Sequence, residues 1–486
     1  MTTFDQTPLD KLDPAEAWKP APDDRWDLRW AAHLFRRAGF GVPPRAVGDE
    51  TPAWELLQAS VRGGREKTLA GLLAGAEGQA DFHQLMDALG RRLTLADRVT
   101  SANRAPLVRL QGWWLYRMLN TPHPLRERMT LFWHNHFATS IAKVGSLRLM
   151  YQQNELLREH ALGKFQPLLL AVSRNPAMIV WLDSASNVKG QPNENYAREI
   201  MELFSLGVGH DSQRNYTEQD IREAARAFTG WANNGEEFEF RRELHDDGEK
   251  AVLGRRGKLG GEDIVGILLE QPAAARFLVR KLFRELINDQ VDPPAALLEP
   301  LAAEFRRSGY DVAGLLPRML GSRLFFSAHA YRQKIKSPVD YVVGLVARLG
   351  GRVSTQELAS AMDGLGQSLL EPPNVAGWKG GRTWLNSATL VARHNLAWRL
   401  LGSEDGQFAD KLDPARAARQ HAKADRAAAG DFLLQLLVEG DVTPEARARL
   451  MSLATAAQSK KDAKDSDASL RQLAHTIVLL PEYQLA

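Results

Sequence analysis

Cysteine is absent from the 486 residues, which removes disulfides, thiolate nucleophiles and thiolate metal ligands together and leaves any metal to His, Asp and Glu. Long apolar runs are absent too. The stretch GLVARLG from Gly344 to Gly350 is broken by Arg348, and no segment reads as a membrane span. Charge of one sign is scarce: 62 basic residues stand against 59 acidic ones, a formal +3, too little over this length for a dominant nucleic-acid field. The opening segment MTTFDQTPLDKLDPAEAWKPAPDD is acidic and proline-bearing and has no apolar h-region. It predicts no secretory signal and, by default, a cytoplasmic location. H-E-x-x-H, E-x-x-H, G-x-x-x-x-G-K-[ST] and G-x-S-x-G are all missing, so the common zincin, di-iron, P-loop and serine-elbow chemistries have no signature here.

What is present describes a folded chain. Apolar residues make up 44% and charged residues 25%, the composition of an ordinary globular protein. The length suits about three average domains, although one extended helical domain could absorb much of it. Trp26, Trp30, His33, Leu34 and Arg37 fall at helical spacing before a stop at Ala38-Gly39. The run LVRLQGWWLYRML from Leu107 to Leu119 is apolar nearly all round, which predicts a deep helix. In FEFRRELHDDGEKAVLG the pattern alternates on both sides of Asp246-Asp247-Gly248, the sign of a two-stranded ribbon with a tight turn. The expectation is a mainly α fold, a multi-helix orthogonal or bundle-like body with one small β-hairpin insertion. Its parts would be a flexible leader at 1–25, a helical core at 26–400 with the hairpin at 232–260, and a helical C-terminal segment at 401–486. That last segment contains a charged, partly flexible linker: residues 403–428 read as a surface segment, and 456–468 have the composition of a disordered one.

Two segments concentrate titratable groups inside core-forming patterns. In RERMTLFWHNHFATS, Met129, Phe132, Trp133, His136 and Phe137 share one helical face. His134 and Asn135 point elsewhere. Two histidines at i and i+2 lie about 200° apart on a helix and do not chelate one ion together unless the helix ends there, so core or capping roles compete with a site role. In NVKGQPNENYAREIMELFSLGVG a polar loop enters a helix with an apolar stripe of Tyr196, Ile200, Leu203, Phe204 and Gly207. Glu199 and Glu202 stand one turn apart on the other side, close enough to share a cation or to split their pKa values. Arg198, four residues before Glu202, offers a plain ion-pair alternative. Thr217 and Asp220 approximate a capping box for the next helix.

Weaker candidates lie elsewhere. His245 and Asp246 could donate to a divalent cation, or simply belong to an Asp-Gly turn. His210-Asp211 is a fainter version of the same idea. Around Pro372–Trp384, Trp378 and Asn374 sit among glycines; flat indoles beside amides suit a sugar or polymer chain, and equally suit a packed loop.

The segments LFRRAGFG, RERMTLFWHNHFATS, NPAMIVWLDSASNVKGQPNENYAREIMELFSLGVG, YTEQDIREAARAFTGW, HDDGEKAVLG, KIKSP, PPNVAGWKGG and LLPEYQ together resemble the bacterial family called domain of unknown function 1800. The resemblance covers nearly the whole chain and carries no established activity or catalytic residues. It implies a setting: relatives often bear export signals and are often encoded beside domain of unknown function 1501 proteins, which look similar to sulfatases. The concentration of polar, titratable residues inside core-forming helices sets the leading expectation, an enzyme-like pocket, hydrolytic or metal-assisted. His134, His136, Glu199 and Glu202 would supply acid/base or ligand groups, with Asn135, Asn193, Glu194 and Arg198 orienting substrate. The alternative is a binding or assembly protein for an envelope polymer or for the sulfatase-like partner, with the cluster serving as a buried polar network.

Overall fold

Proline marks many of the helix starts. Pro106, Pro124, Pro176, Pro272 and Pro338 each occupy the first turn of a helix, where a missing N–H costs nothing and the fixed φ is already helical. Polar side chains cap others. Thr217 and Asp220 form the expected capping box, with Thr217 N donating to Asp220 at 2.9 Å, and Ser337 with Asp340 forms a second. The computed structural model describes residues 3–22, 25–95, 103–210, 213–401, 412–422, 425–455 and 463–486. Within these the chain is mainly α, and strand pairing is confined to three two-stranded antiparallel pairs.

Two apolar clusters share the interior. The first joins the helices Leu28–Ala38, Phe165–Ser173, Gly261–Glu270, Pro272–Leu286 and Ala295–Arg307. The second joins Ala105–Asn120, Pro338–Leu349, Thr355–Asp363, Ser387–Leu401 and Arg426–Val438, together with residues up to Tyr483. The helix Pro124–His136 feeds both, giving Leu125, Met129 and Trp133 to the first and Leu131 to the second. It is therefore buried almost all round. Each large apolar side chain so enclosed contributes about 1.5–3 kcal/mol, which makes this helix the organising element of the fold.

Two local features depart from the sequence pattern. The leader is not loose over residues 3–22: Phe4, Trp18 and Ala21 are buried in the first cluster, and Trp18 Nε1 donates to Leu297 O at 2.6 Å. Two aromatic anchors outweigh the polar composition around them. The single ribbon is replaced by two short hairpins, Trp231–Asn233 paired with Phe238–Phe240, and Lys250–Val252 paired with Arg255–Gly257. Asp246-Asp247-Gly248 lies in the connection between them and not at a hairpin tip, because Arg226 draws Asp246 back to the helix Glu218–Ala227. Of the charged C-terminal stretches, Pro414–Ala422 is helical, while 402–411, 423–424 and 456–462 lie outside the described residues. Among the described residues no helix is long and apolar enough to cross a membrane.

Candidate functional site

The segment Asn195–Glu199 begins as α-helix and widens into a π-helix over Ile200–Ser205. π-Turns are rare and occur frequently at functional sites. Widening the turn leaves carbonyls at the helix end in need of partners, and tertiary groups supply them. His136 Nε2 donates to Phe204 O at 3.0 Å. Lys281 Nζ reaches Leu203 O at 3.3 Å and His136 Nδ1 at 3.0 Å. Asn215 Nδ2 donates to Leu206 O and Gly207 O at 3.0 and 2.9 Å. Since Nδ1 accepts from the lysine, His136 is held as the neutral imidazole with its proton on Nε2. Burial, followed by the Lys281 charge, keeps its pKa well below the ordinary value, and burial brings Lys281 down to about 8.

His134 lies on another side of the same helix, 1% exposed, with ring centres 5.2 Å from Trp114 and 5.6 Å from Trp378. Its Nε2 has no hydrogen-bond partner, and burial lowers its pKa to about 3. Spacing sets His134 off the apolar stripe, but on this helix the side away from that stripe is packed too, with Arg126 the exposed residue. Asn135 straps the loop that carries Trp378: its Oδ1 accepts from Trp378 N at 2.7 Å and its Nδ2 donates to Trp378 O at 3.3 Å. Trp378 is 7% exposed and packs with Ile335 and Trp384, and Asn374 closes a turn onto Ala376 N at 2.9 Å. This geometry is that of a packed loop.

The carboxylates face the other way. Glu199 and Glu202 are both half-buried, and burial, then the charge of Glu202, raises the pKa of Glu199. Glu202 accepts from the Tyr216 hydroxyl at 3.4 Å. Arg198 turns away from Glu202 and pairs with Glu194 at 3.0 Å and Glu218 at 2.8 Å. Glu199 has no hydrogen bond or ion pair among the described residues, and the charge of Arg198 offsets only part of the upward effect of burial and Glu202. Asn193 ties the entering loop together, donating to Ser186 Oγ at 2.8 Å and accepting from Asn195 N at 2.9 Å.

The histidines and glutamates therefore occupy the inside and the outside of one segment and do not converge on one atom. His245 and Asp246 are also spoken for. Asp246 takes Arg226 Nε and Gly248 N, each at 2.8 Å, and is held at a pKa of about 2 chiefly by the arginine; His245 Nδ1 meets Thr229 O at 2.8 Å. Among the described residues no group of three or more His, Asp or Glu side chains is placed to hold a metal ion. The His210 side chain and Asp211 lie outside the described residues.

Sequence reasoning missed Glu127, fully enclosed by Arg117, Arg158 and Trp114. The signal was available as a lone arginine, Arg117, within the apolar run WWLYRML. A charge embedded in a core helix requires a buried partner.

These features define a helical protein whose centre is fixed by buried polar pairs and whose carboxylate pair is offered outward on a π-turn. The chain belongs to the family described as Protein of unknown function (DUF1800), whose profile matches residues 33–485. No match is found among curated proteins or among solved structures.

Burial of His134 has a measurable consequence. Its folded pKa lies below its unfolded value, so its contribution to stability is complete above pH ~6.5 and is lost as pH falls towards about 3. Replacing it by phenylalanine, His134→Phe, should reduce the stability lost on acidification from pH ~7.5 to ~4.5 by about 2 kcal/mol. Urea midpoints at the two pH values measure this. Equal acid sensitivity of variant and parent would contradict it.

Proposed function

We propose that the chain is a binding or assembly protein, with Glu199, Glu202 and Tyr216 at the centre of its contact surface. The observation that carries this reading is the division of the titratable groups. His136, which is buried, and Lys281, which is half-buried, cap the carbonyls of the π-turn, so both are engaged in shaping the turn. Outside, the carboxylate pair makes no ion pair among the described residues and is rimmed by Arg198, Glu194 and Glu218 in mutual ion pairs. A half-desolvated anionic centre inside a charge-laced rim suits a protein partner that brings a lysine or arginine. The sulfatase-like protein of the domain of unknown function 1501 family is the partner to try first.

Acid–base use of the same pair is supported by one observation, the raised pKa of Glu199 beside a second carboxylate. The double variant Glu199→Gln/Glu202→Gln tests both readings, and removing two like charges from one turn should leave its thermal stability unchanged or raised. Titration calorimetry against the sulfatase-like protein should give about tenfold or greater loss of affinity. Unchanged affinity would sink the assembly reading with that partner. Loss of turnover on a panel of sulfate, phosphate and glycoside esters, with no change in association, would favour catalysis instead.

A further inference from the structure

The helices Pro272–Leu286 and Ala295–Arg307 pack side by side but leave a gap at one end. There the first turns of the one meet the second half of the other, and the facing side chains are small. Ala275 and Ala302 are buried, while Pro272 and Ala303 are exposed. These side chains are too short to fill the space between the two helices. A groove open to solvent remains, with room of about 390 Å³, within the range of sites that enclose a ligand.

The free charge on its rim has one sign. Glu299 is spent on Arg276, which reaches both of its oxygens, at 2.7 and 3.1 Å. Arg306 and Arg307 also line the groove and are exposed. Their side chains make no hydrogen bond or ion pair among the described residues. Glu304 stands three positions before Arg307, at the spacing of a helical ion pair, but it turns to Arg318 of the helix Val312–Leu320 at 3.4 Å. The helix Pro272–Leu286 begins at the groove without a side-chain cap, so its dipole adds to the positive field.

We propose that this groove docks an acidic segment of a partner protein, with one apolar side chain seated on Ala275, Ala302 and Ala303 and flanking carboxylates paired with Arg306 and Arg307. Carboxylates match the planar guanidinium fork. An apolar floor beside two free cations suits a peptide better than a nucleic-acid backbone, which calls for a longer row of cations. The groove is opposite in sign to the Glu199 and Glu202 centre and shares no residue with it. Either surface can therefore fail without the other.

The probe is a fluorescein-labelled peptide in which one leucine is flanked on both sides by glutamates, titrated with the full chain at constant ionic strength and read by fluorescence anisotropy. A matched peptide with serine in place of the leucine runs in parallel. The leucine peptide should bind saturably, and the serine peptide about tenfold more weakly. Arg306→Gln/Arg307→Gln should weaken the leucine peptide by about tenfold or more. Ala303→Leu fills the floor with a residue of nearly equal helix propensity, so Tm should hold while affinity falls by a similar factor. No saturable binding, equal binding of the two peptides, or full affinity in Ala303→Leu would overturn the site. Arg306 and Arg307 would then serve only as the basic last turn of their helix.

Discussion

Glu127→Ala should destabilise the protein by about 3–5 kcal/mol, the cost of removing one partner from a buried ionic group. Glu127 receives Arg117 Nε at 2.8 Å, Arg158 Nη2 at 3.1 Å and Trp114 Nε1 at 3.2 Å. Desolvation would raise its pKa, but the two guanidiniums prevail and hold it at about 2. Without it, Arg117 and Arg158 would share only Glu155, at 3.4 and 2.6 Å, with at least one guanidinium charge left buried and uncompensated. Chemical denaturation reads the loss directly. Glu127→Gln separates charge from shape: it keeps acceptor and volume, and should still lose most of the stability. The pH dependence has a definite sign. A carboxylate whose folded pKa is depressed stabilises fully above its unfolded value near 4.5, and that contribution disappears as pH falls towards about 2. Glu127→Gln should therefore flatten the acid limb of the stability curve between those values. A glutamine variant as stable as the parent would mean that packing alone holds the three helices together.

The same network explains which parts of this protein are legible in its sequence. Helix starts are local chemistry, so the Thr217–Asp220 box and the stop at Gly39 are where the residues put them. Burial on the Met129, Phe132, Trp133, His136 and Phe137 face follows from spacing. Glu127, Arg128 and His134 on the other sides of that helix do not follow, because spacing assumes a solvent side and here a second core takes its place. The site divides in the same way. That Glu199 and Glu202 sense each other is visible from their separation along the chain. That Arg198 prefers Glu194 and Glu218 over Glu202 depends on the position of the next helix. The π-turn is invisible beforehand, since it arises from carbonyl partners, His136 and Lys281, that lie 68 and 78 positions away. Asp246 illustrates the opposite error. Local turn chemistry suggests a hairpin tip, and a single arginine from a neighbouring helix relocates it.

Gly377→Ala should be nearly as damaging as the loss of Glu127. Gly377 has φ of +77°, a conformation that costs an L-residue about 1–2 kcal/mol. It also lies flat against the end of the Pro124–His136 helix. A Cβ there would stand 2.5 Å from the backbone oxygen of Asn135 and would collide with the Asn135 side-chain oxygen as well. The side chain can swing aside, but the backbone of a helix packed between two cores cannot. The loop would lift, and with it the pair of hydrogen bonds between Asn135 and the Trp378 backbone and the contact of Trp378 with His134. The expected loss is about 3 kcal/mol or more, with Trp378 fluorescence shifted to the red and new protease sensitivity around residues 371–381. Asn135→Ala supplies the discriminating partner. Alone it removes two hydrogen bonds and should cost about 1–3 kcal/mol. Combined with Gly377→Ala it should give no rescue, because the backbone oxygen remains in the way. Recovery of stability in the double variant would show that the barrier is the movable amide, and that the loop is held by its hydrogen bonds and not by the helix behind them.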